Sequence, residues 1–208
     1  MADFLYSLEA SRFRDPVTGR FVAEKTVRDW TDAVADKAGD RMAGIAKQLQ
    51  SGGIDLAEFQ TRMMAEVKQV HVATSLAAHG GKAATSQADY GFIGSQVKNQ
   101  YGYLDQWARD LASGDAPITE RALLARARLY ADSAVGTYEA TRGRDARLRG
   151  YTEERNILDG AADHCGQCPG LSARGWVPLD SLPPVGSRNC RAKDRCRMER
   201  RRAGERAA

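Results

Sequence analysis

The sequence predicts a mainly α-helical protein with a short β-structure at its N-terminus and a metal-clamped arm at its C-terminus. Three observations lead to this fold class. Apolar residues recur at steps of three and four through much of 26–149, a turn motif divides two β-type runs near the N-terminus, and all four cysteines lie in 165–196. We expect an N-terminal arm or hairpin at 1–25, an antiparallel helical body at 26–158, and a cysteine-rich arm with a basic tail at 159–208.

The predicted N-terminal element is a small hairpin or an extended arm. Residues 11–22 read SRFRDPVTGRFV, so aromatic and β-branched residues flank the segment 15–19 on both sides. Within this segment Pro16 presets the φ angle and Gly19 accommodates a positive φ, which is the chemistry of a tight turn.

Two long helices are expected to follow the arm. The first begins near Thr26 and ends at the Ser-Gly-Gly sequence of 51–53. The second opens at Asp55, which has Glu58 three residues later as in a capping box, and ends at the Gly-Gly pair of 80–81. Both carry an apolar stripe that is most simply core. The stripe residues are Val27, Trp30, Val34, Ala38, Met42, Ile45 and Leu49, then Leu56, Phe59, Met63, Val67 and Val70.

Two further helices are expected before the cysteines. One runs from about Ser86 to Ala112, and the other starts near Thr119 and continues to about Arg149. The links between the helices are short and contain glycine, which favours antiparallel neighbours. The expected inward residues are Ile93, Val97, Tyr101, Leu104, Ala108 and Leu111, then Leu123, Tyr130 and Ala134.

The composition suits a helical and partly elongated protein. Of the 208 residues, 42% are hydrophobic but only 7% are aromatic, and the mean hydropathy is −0.52. The sequence has no apolar run of about 18 residues that would span a bilayer, and its first residues lack the pattern of a signal peptide. We therefore expect no membrane contact, reduced thiols, and a location in the cytosol or in a particle assembled there.

The positive charge is concentrated in the tail. The formal net charge is +4, but residues 187–208 carry nine Lys or Arg against three acidic residues, a net of +6 that leaves about −2 for the rest. Such a tail could face DNA or an acidic partner, or it could be a solvated, frayed helix end. The residues expected to contact nucleic acid or a partner are Arg191, Lys193, Arg195, Arg197, Arg200, Arg201 and Arg202.

The four cysteines have the spacing of metal ligands. Cys165 and Cys168 form a C-x-x-C pair, and Cys190 and Cys196 form a second pair after a spacer of twenty-one residues. Folding the arm back would bring four sulfurs around a tetrahedral ion, as in zinc ribbons and knuckles. Zinc is therefore the expected cofactor, and it would supply about 10 kcal/mol of folding energy to a polar segment. Disulfides and free thiols are the alternatives, and His164 is a possible substitute ligand.

Catalysis has little support in the sequence. A thioredoxin-like C-x-x-C opens a helix after a strand, whereas here Pro169-Gly170 follows at once. Metal-assisted hydrolysis would need a carboxylate base, but Asp163 and Asp194 are more simply solvated surface residues. No Walker A, G-x-S-x-G or H-E-x-x-H motif occurs. We expect no enzyme activity and no catalytic residues.

Trp176, midway along the arm, has two interpretations. The simpler one is that its ring packs the arm against the helices. The more specific interpretation is that Trp176 binds a partner protein, because tryptophan is over-represented among the interface residues that contribute most of the binding energy.

Several elements of the arm together resemble the C-terminal signature of bacteriophage minor head (head morphogenesis) proteins of the Mu F-like group. They are the C-x-x-C of 165–168, the Gly-Trp of 175–176, the Pro-Pro of 183–184 and the Asn-Cys-Arg of 189–191. The specific match is confined to the arm, and upstream the likeness is one of layout.

The resemblance implies a non-enzymatic structural protein of a tailed phage, which acts in head morphogenesis and DNA packaging near the portal or the inner capsid. The implied partners are the portal protein, the major capsid protein or both, and packaged DNA, in a symmetric oligomeric assembly of the virion. Ala192 stands where the family often has its next cysteine, so Cys196 would have to complete the site. The alternative function is a zinc-dependent nucleic-acid-binding protein that uses the Arg-rich tail.

Overall fold

The structure is a computed structural model, and it describes residues 4–7, 10, 12–160 and 162–204. The fold is mainly helical with two small antiparallel sheets, which confirms the predicted class at this level. Across these residues, no helix combines the length and apolarity that a bilayer crossing requires.

Five long helices form the body within the described residues. They are α1 (Glu24–Gln50), α2 (Leu56–His79), α3 (Gln87–Ser113), α4 (Glu120–Asp132) and α5 (Ala134–Leu148). The spans of α1, α2 and α3 confirm the first three predicted helices to within a few residues. α1 packs mainly against α2 and α4, and α2 packs in addition against α3 and α5.

The prediction of one continuous fourth helix is wrong, because the chain bends at Ser133 between α4 and α5. The Ser133 hydroxyl donates to the Tyr130 carbonyl oxygen at 2.8 Å and lies 3.3 Å from His71 Nε2. A serine hydroxyl that bonds a carbonyl of the preceding turn often bends a helix. The bend lets α4 pack on α1 while α5 packs on α2.

Side-chain caps fix the starts of three helices, including α4, where Thr119 accepts a hydrogen bond from Ala122 N at 3.4 Å. Asp55 accepts a hydrogen bond from Glu58 N at 2.8 Å, as the spacing predicts. A reciprocal capping box, which the sequence analysis missed, joins Ser86 and Asp89 at the start of α3. Asp89 Oδ2 also lies 3.1 Å from His79 Nε2, so the same carboxylate ties the end of α2 to the start of α3.

The apolar stripes of the helices form the main core, as predicted. The rings of Phe59 and Trp107 meet edge to face with centroids 5.2 Å apart, and Trp107 stacks on Tyr130 at 5.8 Å. The buried members of this core are Ala35, Ala38, Met42, Ile45, Ala46, Phe59, Met63, Val67, Val70, Leu104, Trp107, Leu111, Leu123, Ala127, Tyr130, Ala131 and Ala134.

The N-terminal sheet confirms the predicted hairpin and adds a strand. Its strands are β1 (Leu5–Ser7), β2 (Arg12–Arg14) and β3 (Phe21–Val22), in the order β1-β2-β3. The sheet docks at the end of α2, where Gly80 has φ +102° and a Cβ would lie 2.7 Å from Tyr6 N. Only glycine fits there, so the residue that ends α2 also admits the N-terminal sheet.

A second sheet organises the C-terminal arm. Its strands are β4 (Glu153–Ile157), β5 (Val177–Pro178) and β6 (Arg197–Arg201), in the order β5-β4-β6. A short helix, α6 (Cys168–Ala173), and a 3₁₀ turn at Arg191–Lys193 lie between them. The alternative that the basic tail is a frayed helix end is wrong, because residues Arg197–Arg201 of the tail form β6. The predicted boundary between 158 and 159 falls between β4 and its partner strands.

A buried histidine links α2 to the bend between α4 and α5. His71 has no exposed surface, and its Nδ1 lies 2.7 Å from Thr137 Oγ1. Burial lowers the pKa of His71 from 6.5 to about 4, because the charged imidazolium would lose its hydration. The unfolded chain therefore binds more protons at this site than the folded protein between these two pH values.

Acid should destabilise the protein through His71. A folded pKa below the unfolded one gives stability that is present above about pH 6.5 and is lost as the pH falls toward about 4. Going from pH 7.5 to pH 5 should remove about 2 kcal/mol of unfolding free energy through this group. Urea denaturation of the wild type and His71→Gln at both pH values checks this. An equal loss in the two proteins would contradict the prediction.

Candidate metal centre

Separate segments of the arm bring the four cysteines together. Cys168 is the first residue of α6, and Cys196 immediately precedes β6. The Sγ of Cys168 lies 3.4 Å from that of Cys165 and 3.7 Å from that of Cys190. The Sγ of Cys168 also lies within 4.8 Å of the ligand atoms of Cys196 and Asp194. Because sulfurs around tetrahedral zinc lie about 3.8 Å apart, the cluster is positioned to bind a metal ion.

The start of α6 corrects one expectation. Pro169-Gly170 was expected to prevent a helix after the C-x-x-C pair, but α6 begins at Cys168 with the proline in its first turn. Proline is tolerated there because its missing N–H has no partner in the first turn of a helix. The pair therefore does lie between a strand and a helix. It differs from an isolated redox pair because Cys190 lies beside both of its thiols.

Burial and thiol–thiol hydrogen bonds shift the acidity of the cluster. Burial raises the pKa of Cys168 to about 12 and raises the pKa of Cys196. A hydrogen bond between Cys165 and Cys190 raises the pKa of Cys190 to about 12 and lowers that of Cys165 to about 7. Most of the set is therefore protonated at neutral pH without a cation, and a bound divalent ion would displace these protons.

An ion pair with almost no exposed surface supports the cluster. Arg188 Nε lies 3.6 Å from Asp194 Oδ2, and the two side chains are 0% and 1% exposed. Asp194 accepts a hydrogen bond from Cys196 N at 3.1 Å, while Arg188 donates to Asn156 Oδ1 at 2.7 Å. Asn156 in turn donates to the Cys168 carbonyl oxygen at 3.4 Å. The pair thus connects the backbone of two thiol-bearing residues.

Sequence reasoning missed this network and misassigned one member. Asp194 was expected to be a solvated surface residue, which is wrong, whereas Asp163 is exposed as expected. Arg188 was counted only as part of the basic tail. The sequence did contain a signal for this network, because Arg188 and Asp194 lie on either side of Cys190. Charged residues that flank a metal ligand in the sequence can be buried together with that ligand. Among the described residues, His164 belongs to no group that converges for metal binding.

Many of the predicted contact residues of the tail are engaged within the chain. Arg191 is exposed with φ +51°, and the side chain of Lys193 and the whole of Arg206 lie outside the described residues. The internal contacts are Arg195 with Asp32 (3.5 Å), Arg197 with Glu199 (3.7 Å), Arg200 with Glu139 (3.3 Å), Arg201 with Glu153 (2.7 Å) and Arg202 with the Arg149 carbonyl oxygen (2.7 Å).

Trp176 packs on its own sheet. The guanidinium carbons of Arg155 in β4 and Arg201 in β6 lie 4.7 Å and 4.1 Å from the centre of its ring. These cation–π contacts hold the half-buried ring against strand residues. They hold the residue that precedes β5 against β4 and β6. The role of Trp176 as a partner anchor stays a prediction.

Comparisons with protein-family models, with curated proteins and with solved structures find no match to this chain. The likeness to phage minor head proteins therefore rests on the residues of the arm.

Replacing Cys168 should abolish metal binding, because its sulfur contacts both halves of the cluster. Wild-type protein purified without added zinc should carry about one zinc per chain, and Cys168→Ser should carry far less. Ser172→Ala in the same short helix is the control and should keep its metal. Elemental analysis of the three proteins decides the matter, and a metal-free wild type would contradict the assignment.

Arg188 and Arg195 should differ sharply in their contribution to stability. Arg188→Met would leave the Asp194 carboxylate buried without its counter-charge, which costs about 3–5 kcal/mol of unfolding free energy. Arg195→Met removes a pair with Asp32 in which both side chains are more than a third exposed, so its cost should stay below about 1 kcal/mol. Urea denaturation measures both variants, and similar costs would refute the distinction.

Proposed function

We propose that this protein is a non-enzymatic structural component of a tailed-phage head, in which zinc clamps together the segments of the C-terminal arm. One observation carries the proposal. The C-x-x-C pair and the Asn-Cys-Arg element, which carry the resemblance to minor head proteins, contribute thiols to a single cluster. Cys168 and Cys190, which are twenty-two positions apart in the sequence, thus lie close enough to bind the same metal ion.

Zinc is the metal that this donor set favours. Thiolate sulfur binds zinc, copper(I) and iron–sulfur clusters in preference to magnesium or calcium, and a four-sulfur tetrahedral site is typical of structural zinc. The arm is the part of the chain that would gain most, since binding energy becomes folding energy where the apolar core is small. The arm would then have the character of a zinc ribbon or knuckle.

The proposed site would be structural, because four protein ligands leave no coordination position open for substrate. The nearest buried carboxylate, that of Asp194, is committed to the Cys196 and Gly186 amides and to Arg188. It is therefore poorly placed to act as a general base.

The proposed setting is the portal or the inner capsid, with the portal or major capsid protein as partner. Packaged DNA is a further proposed partner, but the internal contacts of Arg195, Arg200 and Arg201 leave fewer cations for phosphate than the composition suggests. For that reason a nucleic-acid-binding function ranks second. A shallow dependence of DNA affinity on salt would agree with this ranking.

Quantitative mass spectrometry of purified particles of the phage that encodes this chain tests the head role. We expect a fixed ratio to the portal subunit that is low relative to the major capsid protein, and that stays constant through successive purification steps. A non-structural phage protein serves as the control for contamination. Absence from the particles despite abundance in infected cells would contradict a role in the mature head.

A further inference from the structure

A cleft separates the helical body from the C-terminal arm. Its volume is about 390 Å³, which lies within the range of pockets that hold small ligands. The first turns of α1 and the start of α5 form one wall. Residues 158–160 after β4 and residues 195–197 before and within β6 form the other. The cleft therefore exists only where the arm is docked on the helices.

Most charged side chains of the cleft are neutralised in pairs. In these pairs the carboxylates of α1 and α5 have cationic partners. The carboxylates therefore repel an incoming anion less than their number suggests. The pairs are Lys25 with Asp29 (2.7 Å), Arg195 with Asp32 (3.5 Å) and Arg200 with Glu139 (3.3 Å).

Two guanidinium groups at the cleft retain donors without acceptors. Arg28 lines the cleft and makes no hydrogen bond or ion pair with the residues that the structure describes. Arg197 also lines it, and its Nε is buried without a partner among the same residues. Buried donors that lack an acceptor cost free energy, so such groups are usually matched by something that binds them.

The lining of the cleft is formally neutral, because its four cations are matched in number by four carboxylates, those of Asp29, Asp32, Glu139 and Asp159. The carboxylates of Glu24 and Glu139 lie in the field of three guanidinium groups, those of Arg28, Arg142 and Arg200. Burial raises the pKa of Glu139 despite these cations, which weakens its negative charge further as the pH falls. An oxyanion bound at the cleft would therefore act as a hydrogen-bond acceptor for guanidinium donors rather than as compensation for a net charge.

We propose that this cleft binds a small molecule through an oxyanion group, a phosphate or a carboxylate, held between Arg28 and Arg197. A guanidinium group presents parallel N–H donors that match two oxygens of either group, and a pair of them selects an oxyanion over a halide. The proposal is independent of the head role, since it rests on residues outside the cysteine cluster and outside the motif that carries the resemblance.

Isothermal titration calorimetry of the metal-loaded full chain tests the site. The probes are inorganic phosphate and, separately, citrate, each at constant ionic strength against sodium chloride. We expect saturable binding of one probe molecule per chain. Arg28→Met should weaken it by about tenfold or more through loss of a charge-assisted pair, and Arg28→Lys should restore part of the affinity. Lys47→Met, which removes an exposed cation of the last turn of α1 outside the cleft, should change the affinity less than about twofold.

The outcomes separate the possible ligands. Saturation by phosphate alone assigns a phosphate-bearing ligand, saturation by citrate alone assigns a carboxylate, and saturation by both supports the shared oxyanion chemistry. The absence of saturation with either probe overturns the proposal, and so does an equal loss in Arg28→Met and Lys47→Met, which would indicate diffuse electrostatics. Metal content and melting temperature are measured on every variant, so a failure of the cleft is distinguished from a failure of the metal centre.

Discussion

Convergence of the four thiols is the constraint on which the C-terminal arm depends, because the arm has little else to order it. Between β4 and β6 the described chain forms a six-residue helix and a two-residue strand as its main regular elements. Four buried apolar side chains form its cluster, those of Leu171, Leu182, Val185 and Met198. Ordering each residue costs about 1–2 kcal/mol of backbone entropy, which so small a core cannot offset. A metal held by four thiolates would supply an energy of the required order, about 10 kcal/mol.

Once the arm is fixed, the basic tail becomes part of the fold. β6 pairs with β4 along five residues, which turns Arg200 inward to the buried Glu139 and Arg201 outward to Glu153. Composition alone suggested a free cationic tail, since the tail holds most of the excess charge. The acidic residues that neutralise the tail come from α5 and β4. Glu139 pairs with Arg200 across 61 residues of sequence, and Glu153 pairs with Arg201 across 48. Long-range pairing therefore decides how much of this charge is left for a partner.

The sequence was most informative where structure follows local rules. Apolar periodicity and glycine stops predicted α1 to α3 closely, and turn chemistry at 15–19 predicted the hairpin. The bend at Ser133 was missed because apolar periodicity continues across it, while the hydroxyl that bonds the Tyr130 carbonyl oxygen does not show in that pattern. β4 and β6 were missed because they read as charged runs, and only their pairing makes them strands. The spacing of the cysteines indicated the cluster. The spacing did not indicate that Arg188 and Asn156 support the cluster, because this role depends on their burial.

The metal centre and the cleft are coupled by the arm that they share. Arg197 follows Cys196 directly, and Arg195 before it reaches Asp32 of α1. A metal that holds Cys196 therefore also sets the wall of the cleft against the first turns of α1. Because linkage is reciprocal, an anion that bridges Arg28 and Arg197 would favour the docked arm and so strengthen metal binding to the same degree. Docking of the arm is thus the single event that both forms the cleft and neutralises much of the basic tail.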